Sequence, residues 1–204
     1  MPKRDVGHMQ SQRERILRAA IRCISDLGLE RMSVAEIRKE AGLSAGAIYT
    51  HFAGKDEIVI EALRFAAMSE MMLPNDWTAF KAEMASEEDQ LGFDIQTIAR
   101  AKLQLLSSAI RSGPLRDMLK PLVDTSIEML ASHLEAMRDA GKIKLRLSPL
   151  QAAASIAALT DGLVWIGLAR GQSWPAIAET MSAALDCIAE LSNSEISSDK
   201  AAQS

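Results

Sequence analysis

Aromatic residues make up only 4% of this 204-residue chain, with a single tyrosine among them. A β-rich core is thereby disfavoured, since strands draw on aromatic and β-branched side chains. Cysteine is scarcer still. Cys23 and Cys187 stand far apart, and His8, His51 and His133 form no cluster with them. Neither a disulfide framework nor a zinc site fits that inventory. Both thiols are expected to be free and buried, as in a reducing cytosol. No run of eighteen uncharged apolar residues occurs, so no bilayer-spanning helix is expected. The opening "MPKRDVGHMQSQRERI" has charges but no apolar stretch behind them, which excludes a secretory signal. A cytoplasmic protein without a membrane partner is the resulting expectation.

Catalytic patterns are missing too. There is no Gly-x-Ser-x-Gly, and Gly54-Lys55 lacks both the preceding glycine and the following hydroxyl of a phosphate-binding loop. No base stands beside a nucleophile. The chain is read as no enzyme, needing neither cofactor nor metal.

Apolar residues, by contrast, account for 48% of the sequence, and alanine, leucine, isoleucine and methionine dominate them. These are helix formers. Ile16, Ala20, Cys23, Ile24 and Leu27 recur at helical spacing until Gly28 stops them, after a flexible arm over residues 1–9. "SVAE" then offers a capping serine, Ser33, with Glu36 three residues on. Gly42 supplies a turn, Ser44 caps a short third helix, and Gly54 breaks it before a fourth that ends near Pro74. Longer helices follow near 76–90, 93–112, 115–140, 149–170 and 173–192. "KIKLRL" (142–147) alternates but is short and isolated, so no strand is expected. The fold class is all-α: a three-helix head with a helix-turn-helix, then a larger helical bundle. The head spans 1–50 with its arm, an effector-binding and dimerisation body spans 51–192, and 193–204 is a disordered polar tail.

The third helix is peculiar. "GLSAGAIYTHF" spends stability on a glycine, which costs about 1 kcal/mol against alanine inside a helix. Two short helices joined by a tight turn match the helix-turn-helix, whose second helix enters the DNA major groove. A small leading face lets that helix come close to base edges. Ala45, Gly46 and Ala47 provide it, while Tyr49 and Thr50 share the exposed side one turn on. Ser33 and Ser44 are caps near enough to meet phosphate, His51 either packs or contacts DNA, and Lys55 reaches a phosphate from the next helix. Residues 1–60 carry ten Lys/Arg against eight Asp/Glu, and the remainder thirteen against nineteen, a basic head on an acidic body.

The segment "ILRAAIRCISDLGLERMSVAEIRKEAGLSAGAIYTHFAGKDEIVIEAL" resembles the N-terminal domain of the TetR family of bacterial transcriptional regulators. The likeness rests on the first helix ending in "LG", the hydroxyl cap at Ser33, "AGLSAGAIYTHF" and Lys55 after Gly54. Members often carry a long polar residue where Ala45 or Ala47 stands here. Base reading is therefore left to Thr50, Tyr49, methyl contacts and DNA shape. The resemblance implies a homodimer on a double-stranded palindromic operator, acting as a repressor and released by a small-molecule effector. Control by a protein partner is the alternative within that class, and a helical enzyme or carrier with a vestigial head the alternative outside it.

In the body, Met68, Met72, Trp77, Phe80, Phe93, Met118, Met129 and Trp165 are the expected lining of an apolar effector pocket. The small residues of "AAASIAALTDG" and an apolar stripe on the last helix suggest the dimer face: Ala153, Ala157, Asp161, Ile177, Met181, Ala184 and Ile188.

Overall fold

The computed structural model describes residues 3–69, 73–88 and 91–192. In chain order the helices are α1 (Lys3–Arg31), α2 (Val34–Ala41), α3 (Ala45–His51), α4 (Lys55–Ser69), α5 (Trp77–Met84), α6 (Ile95–Arg111) and α7 (Gly113–Asp139). After a short strand β1 (Ile143–Leu145) come α8 (Pro149–Ala169), α9 (Trp174–Leu185) and a second strand β2 (Ala189–Leu191). The all-α class holds. The described residues pack as two compact units, one from the chain up to 69 with 91–122, the other from 73–88 with 123–192.

The first unit grows from the apolar face of α1. Ile16, Leu17, Ala20 and Ile24 are buried on it and meet Ile37, Ile48, Phe52 and Ile58 from α2 to α4. The expected arm is not one from Lys3 onward, because α1 already starts there. Gly28 does interrupt the helix, with φ 76 and ψ 161, a conformation that favours glycine. Ser33 caps α2 by accepting from the Glu36 N–H at 3.3 Å, and Gly42 ends it in the left-handed region at φ 63. Helix α6 lies along α1, where Arg100 Nε donates to the buried Ser25 hydroxyl at 3.1 Å. Arg18 stands 5.5 Å from the ring centroids of both Phe65 and Phe93, pairs with Glu14, and donates to the Leu91 carbonyl. One guanidinium thus ties the chain around residue 91 to α1.

In the second unit, α5 is held by side chains from distant stretches. Trp77 Nε1 donates to Asp186 at 3.0 Å, and Lys81 reaches the same carboxylate at 2.7 Å. Trp77 stacks on Phe80, and Phe80 on His133, whose Nε2 lies 2.9 Å from the Pro74 carbonyl oxygen. Trp174 Nε1 donates to the Ala85 carbonyl at 2.9 Å. Helix α8 opens with a capping box between Ser148 and Gln151.

Three sequence expectations need correction here. A strand does form: Ile143 faces Leu191, Lys144 faces Glu190 and Leu145 faces Ala189 in an antiparallel ladder. Three residues a side are too few for a period-two signal to stand out. For the same reason the last helix stops at Leu185 instead of reaching 192, although Ile188 continues its apolar spacing. Cys187, beyond that end, is exposed while Cys23 is buried. By length and composition alone α8 could cross a membrane, although Asp161 lies within it.

Candidate nucleic-acid interface

Helix α3 is only seven residues long, and Ile48 is its buried residue. Everything else on it is at least partly open. Ser44 starts it by accepting from the Ala47 N–H at 3.2 Å. Ala45 and Gly46 are exposed and Ala47 half-buried. A methyl group built at Gly46 would find nothing nearer than the Ser44 hydroxyl, 4.0 Å away. Tyr49 stands out with 59% of its surface exposed, next to exposed Thr50. The structure thus brings Ser44, Ala45, Gly46, Tyr49 and Thr50 onto one open helix, with a low leading edge and one tall side chain behind it.

The remaining expected contacts are engaged inside the protein. Ser33 caps α2 and also donates its hydroxyl to Glu36. The Thr50 hydroxyl donates back to the Gly46 carbonyl at 2.8 Å. His51 Nε2 lies 3.4 Å from Gln12 Oε1, and Gln12 in turn lies 3.1 Å from His8. Lys55 Nζ donates to the Leu29 carbonyl at 2.6 Å.

Sequence reasoning passed over the arginines that frame this helix. Arg15 of α1 donates to the Ala41 carbonyl at 2.8 Å, across the turn between α2 and α3. Arg13 lies 5.2 Å over the Phe52 ring and pairs with Glu61 of α4. Burial alone would push the Glu61 carboxyl up, but Arg13 and Arg64 outweigh it and hold it below the usual carboxylate range. Only their spacing on α1, two residues from each other, hinted at this, and such spacing also describes a solvated face.

A three-helix head of this geometry, a short open recognition helix held by α1 and α4, matches a known family model. "Bacterial regulatory proteins, tetR family" aligns with residues 16–62. Over these residues the chain is similar to the TetR family. Its TetR relatives extend the likeness beyond the head. The HTH-type transcriptional repressor Rv1474c of Mycobacterium tuberculosis is 24% identical over 169 residues, 68% of this chain and 90% of that protein. The HTH-type transcriptional regulator BetI of Vibrio campbellii is 26% identical over 175 residues, 81% and 83% of the two chains. In fold, a TetR-family transcriptional regulator from Rhodococcus sp. superposes with a TM-score of 0.68 at 22% identity, over 87% of this chain and 98% of that one. A transcriptional regulator from Saccharomonospora viridis, solved in complex with choline, gives 0.65 at 22% identity, over 89% and 99%. The names of these relatives are those of transcriptional regulators, and the solved structures share the fold.

The residues expected around an effector are divided between the two units. Phe93 and Met118 belong to the first unit, where Phe93 is buried under Arg18 and Arg22. Trp77, Phe80, Met129 and Trp165 belong to the second, and Trp77 and Phe80 are fully packed. Met72 and the side chain of Met68 lie outside what is described. An open groove of about 400 Å³ between α7 and the start of α8 is lined by Glu128, Ala131, Ser132, Glu135, Ser148, Pro149 and Leu150, none of them expected lining.

The expected dimer stripe splits as well. Ala153, Ile177, Met181 and Ile188 are buried within the single chain, while Ala157, Asp161 and Ala184 are half-buried. Helix α9 turns its apolar side onto its own core, including Gly167 of α8. The outward face of α8 is a different one, carrying Leu150, Ala154, Ala158 and Ile166, the last 61% exposed.

Proposed function

We propose that this protein is a cytoplasmic TetR-family repressor that binds a palindromic operator as a homodimer and lets go when an apolar or amphipathic small molecule occupies its body. The open face of α3 carries the DNA part of this reading. Ala45, Gly46 and Ala47 let the helix sit close to base edges, Tyr49 and Thr50 contact bases, and Ser44, with the amides it caps, faces phosphate. Ser33 and His51 flank that face. The head is assigned to residues 1–50 and the effector and dimerisation functions to 51–192.

The dimer is supported by the outward face of α8, an apolar surface that a monomer would leave in water. A second copy suits it better than lipid, since Thr160 and Asp161 lie mid-helix, where a bilayer penalises a carboxylate by several kcal/mol. The effector class is supported by the methionines and tryptophans of the body and by the small share of charge among its buried residues. An effector acts only through unequal affinity for DNA-competent and DNA-incompetent states.

The test selects binding fragments from a pool of random duplexes with the purified protein. The winners should contain an inverted repeat and bind with strong salt dependence. A panel of apolar and charged metabolites is then titrated, with tryptophan emission and DNA release read in parallel. Recovery of no consensus sinks the operator reading. Release by a small, highly charged metabolite alone overturns the apolar effector.

A further inference from the structure

Helix α3 is too short to hold its own orientation. Two buried side chains pin it, Ile48 within the helix and Phe52 at its end. They stand four residues apart on one side, so α3 is still free to roll about the line that joins them. Such a roll would turn Tyr49 and Thr50 away from whatever the open face meets.

Side chains of α1 block it. Arg13 lies 5.2 Å over the Phe52 ring, and Oε1 of its neighbour Gln12 is 3.4 Å from Nε2 of His51. Adjacent residues of one helix thus hold adjacent residues at the end of the other. Arg15 donates to the Ala41 carbonyl before α3 begins. The Arg13 guanidinium is itself held. It donates to one carboxylate oxygen of Glu61 on α4, and the other oxygen accepts from Arg64 at 2.6 Å. The Arg13 and Glu61 side chains are 42% and 22% exposed, so the pair is partly withdrawn from solvent screening. A flat cation gripped at its edge by a carboxylate presents its face to the ring.

We propose that Arg13 is a positioning residue for DNA binding: anchored by Glu61 of α4, its guanidinium fixes the Phe52 ring and with it the roll of α3. The inference rests on the DNA-binding reading above and deepens it. It also makes an acid, Glu61, a support for binding a polyanion. Plain electrostatics predicts the reverse. Removing a carboxylate from the head makes it more positive and should tighten its hold on phosphate. If Glu61 acts through Arg13, its removal weakens binding instead.

The experiment compares wild type with Glu61→Gln, which keeps the side-chain shape, Arg13→Met, which keeps an apolar stem beside Phe52, and the double variant. The DNA is the duplex that wild type selects from the random pool. Binding is measured at several salt concentrations, well below each melting temperature, and amide hydrogen exchange over residues 48–53 is read in the free protein. Each single variant should lose roughly tenfold in affinity. The double variant should be no weaker than the worse single, because both act through one contact. Slopes of log affinity against log salt should stay at the wild-type value, and exchange should quicken in all three. Tighter or unchanged binding by Glu61→Gln overturns the proposal, as do additive losses. A slope lower by about one in Arg13→Met does so too, since Arg13 would then touch phosphate. A role confined to stability would lower the melting temperature and leave affinity alone. Should one single variant fail to fold, the other decides, Glu61→Gln by the sign of its effect and Arg13→Met by its slope. If wild type selects no duplex, the operator reading fails, and exchange alone decides whether Arg13 holds α3, with unchanged rates in both variants overturning it.

Discussion

Gly46 has no backbone reason to be glycine. Its φ is not positive, and the space where a side chain would grow is open. A larger helix former there should therefore raise the stability of α3 by about 1 kcal/mol while obstructing the approach to DNA. Gly46→Leu is expected to melt no lower than wild type and to bind the selected duplex at least tenfold more weakly, about 1.4 kcal/mol. Loss of both stability and binding would mean that the open face serves packing. The two cysteines differ in the same residue-level way. Burial first, then the carboxylates of Glu40, Glu36 and Asp26, raise the Cys23 thiol from 9.0 to about 11. At neutral pH it stays protonated and inert. A thiol reagent should label one site per folded chain, Cys187, and two in denaturant. The unfolded state gives up its Cys23 proton earlier than the folded state does. This contribution to stability is thus whole below about pH 9 and is lost as pH rises through about 11. Denaturant melts at pH 8 and 10.5 should show the fall, and Cys23→Ala should flatten it.

Elements were legible where a repeated pattern and a stop signal coincided. Helices α2 and α3 came out of the sequence because Ser33 and Gly42 mark the ends of the first, and Ser44 and the break at Gly54 those of the second. The strands did not, because β1 and β2 owe their pairing to each other across the intervening helices and carry almost no local signal. The face of α9 was misread for a related reason. Apolar spacing says that a stripe is covered but not by what, and only the fold shows that Ile177 and Met181 are sealed within the chain. Gly167 is the clearest consequence at this scale. A methyl group there would come within 2.5 Å of Ile177, so α8 and α9 cross at glycine because nothing larger fits. Gly167→Ala should destabilise the second unit by about 1–3 kcal/mol, and pairing it with Ile177→Ala should recover part of that loss. Simple additivity in a double-mutant cycle of denaturant melts would refute the contact.

At the scale of the whole molecule the outward face of α8 separates assembly from folding. Ile166→Lys changes a residue that is 61% exposed in the single chain and should leave the melting point of the monomer intact. In sedimentation it should shift the protein from dimer to monomer at micromolar concentration. Met181→Glu, at 1% exposure, should instead unfold the second unit, because a carboxylate would be buried without a partner. If both variants behave alike, the dimer is built on another surface. The ladder between β1 and β2 has a consequence of a different kind. On the ribosome, β2 emerges after every other described element, so β1 waits unpaired through the synthesis of α8 and α9. The first unit has all its described residues by 122 and is free to fold during translation, whereas the second stays open until translation passes residue 191. A released chain truncated at residue 187, which lacks β2, should accordingly protect α1 to α4 from protease and leave α8 accessible.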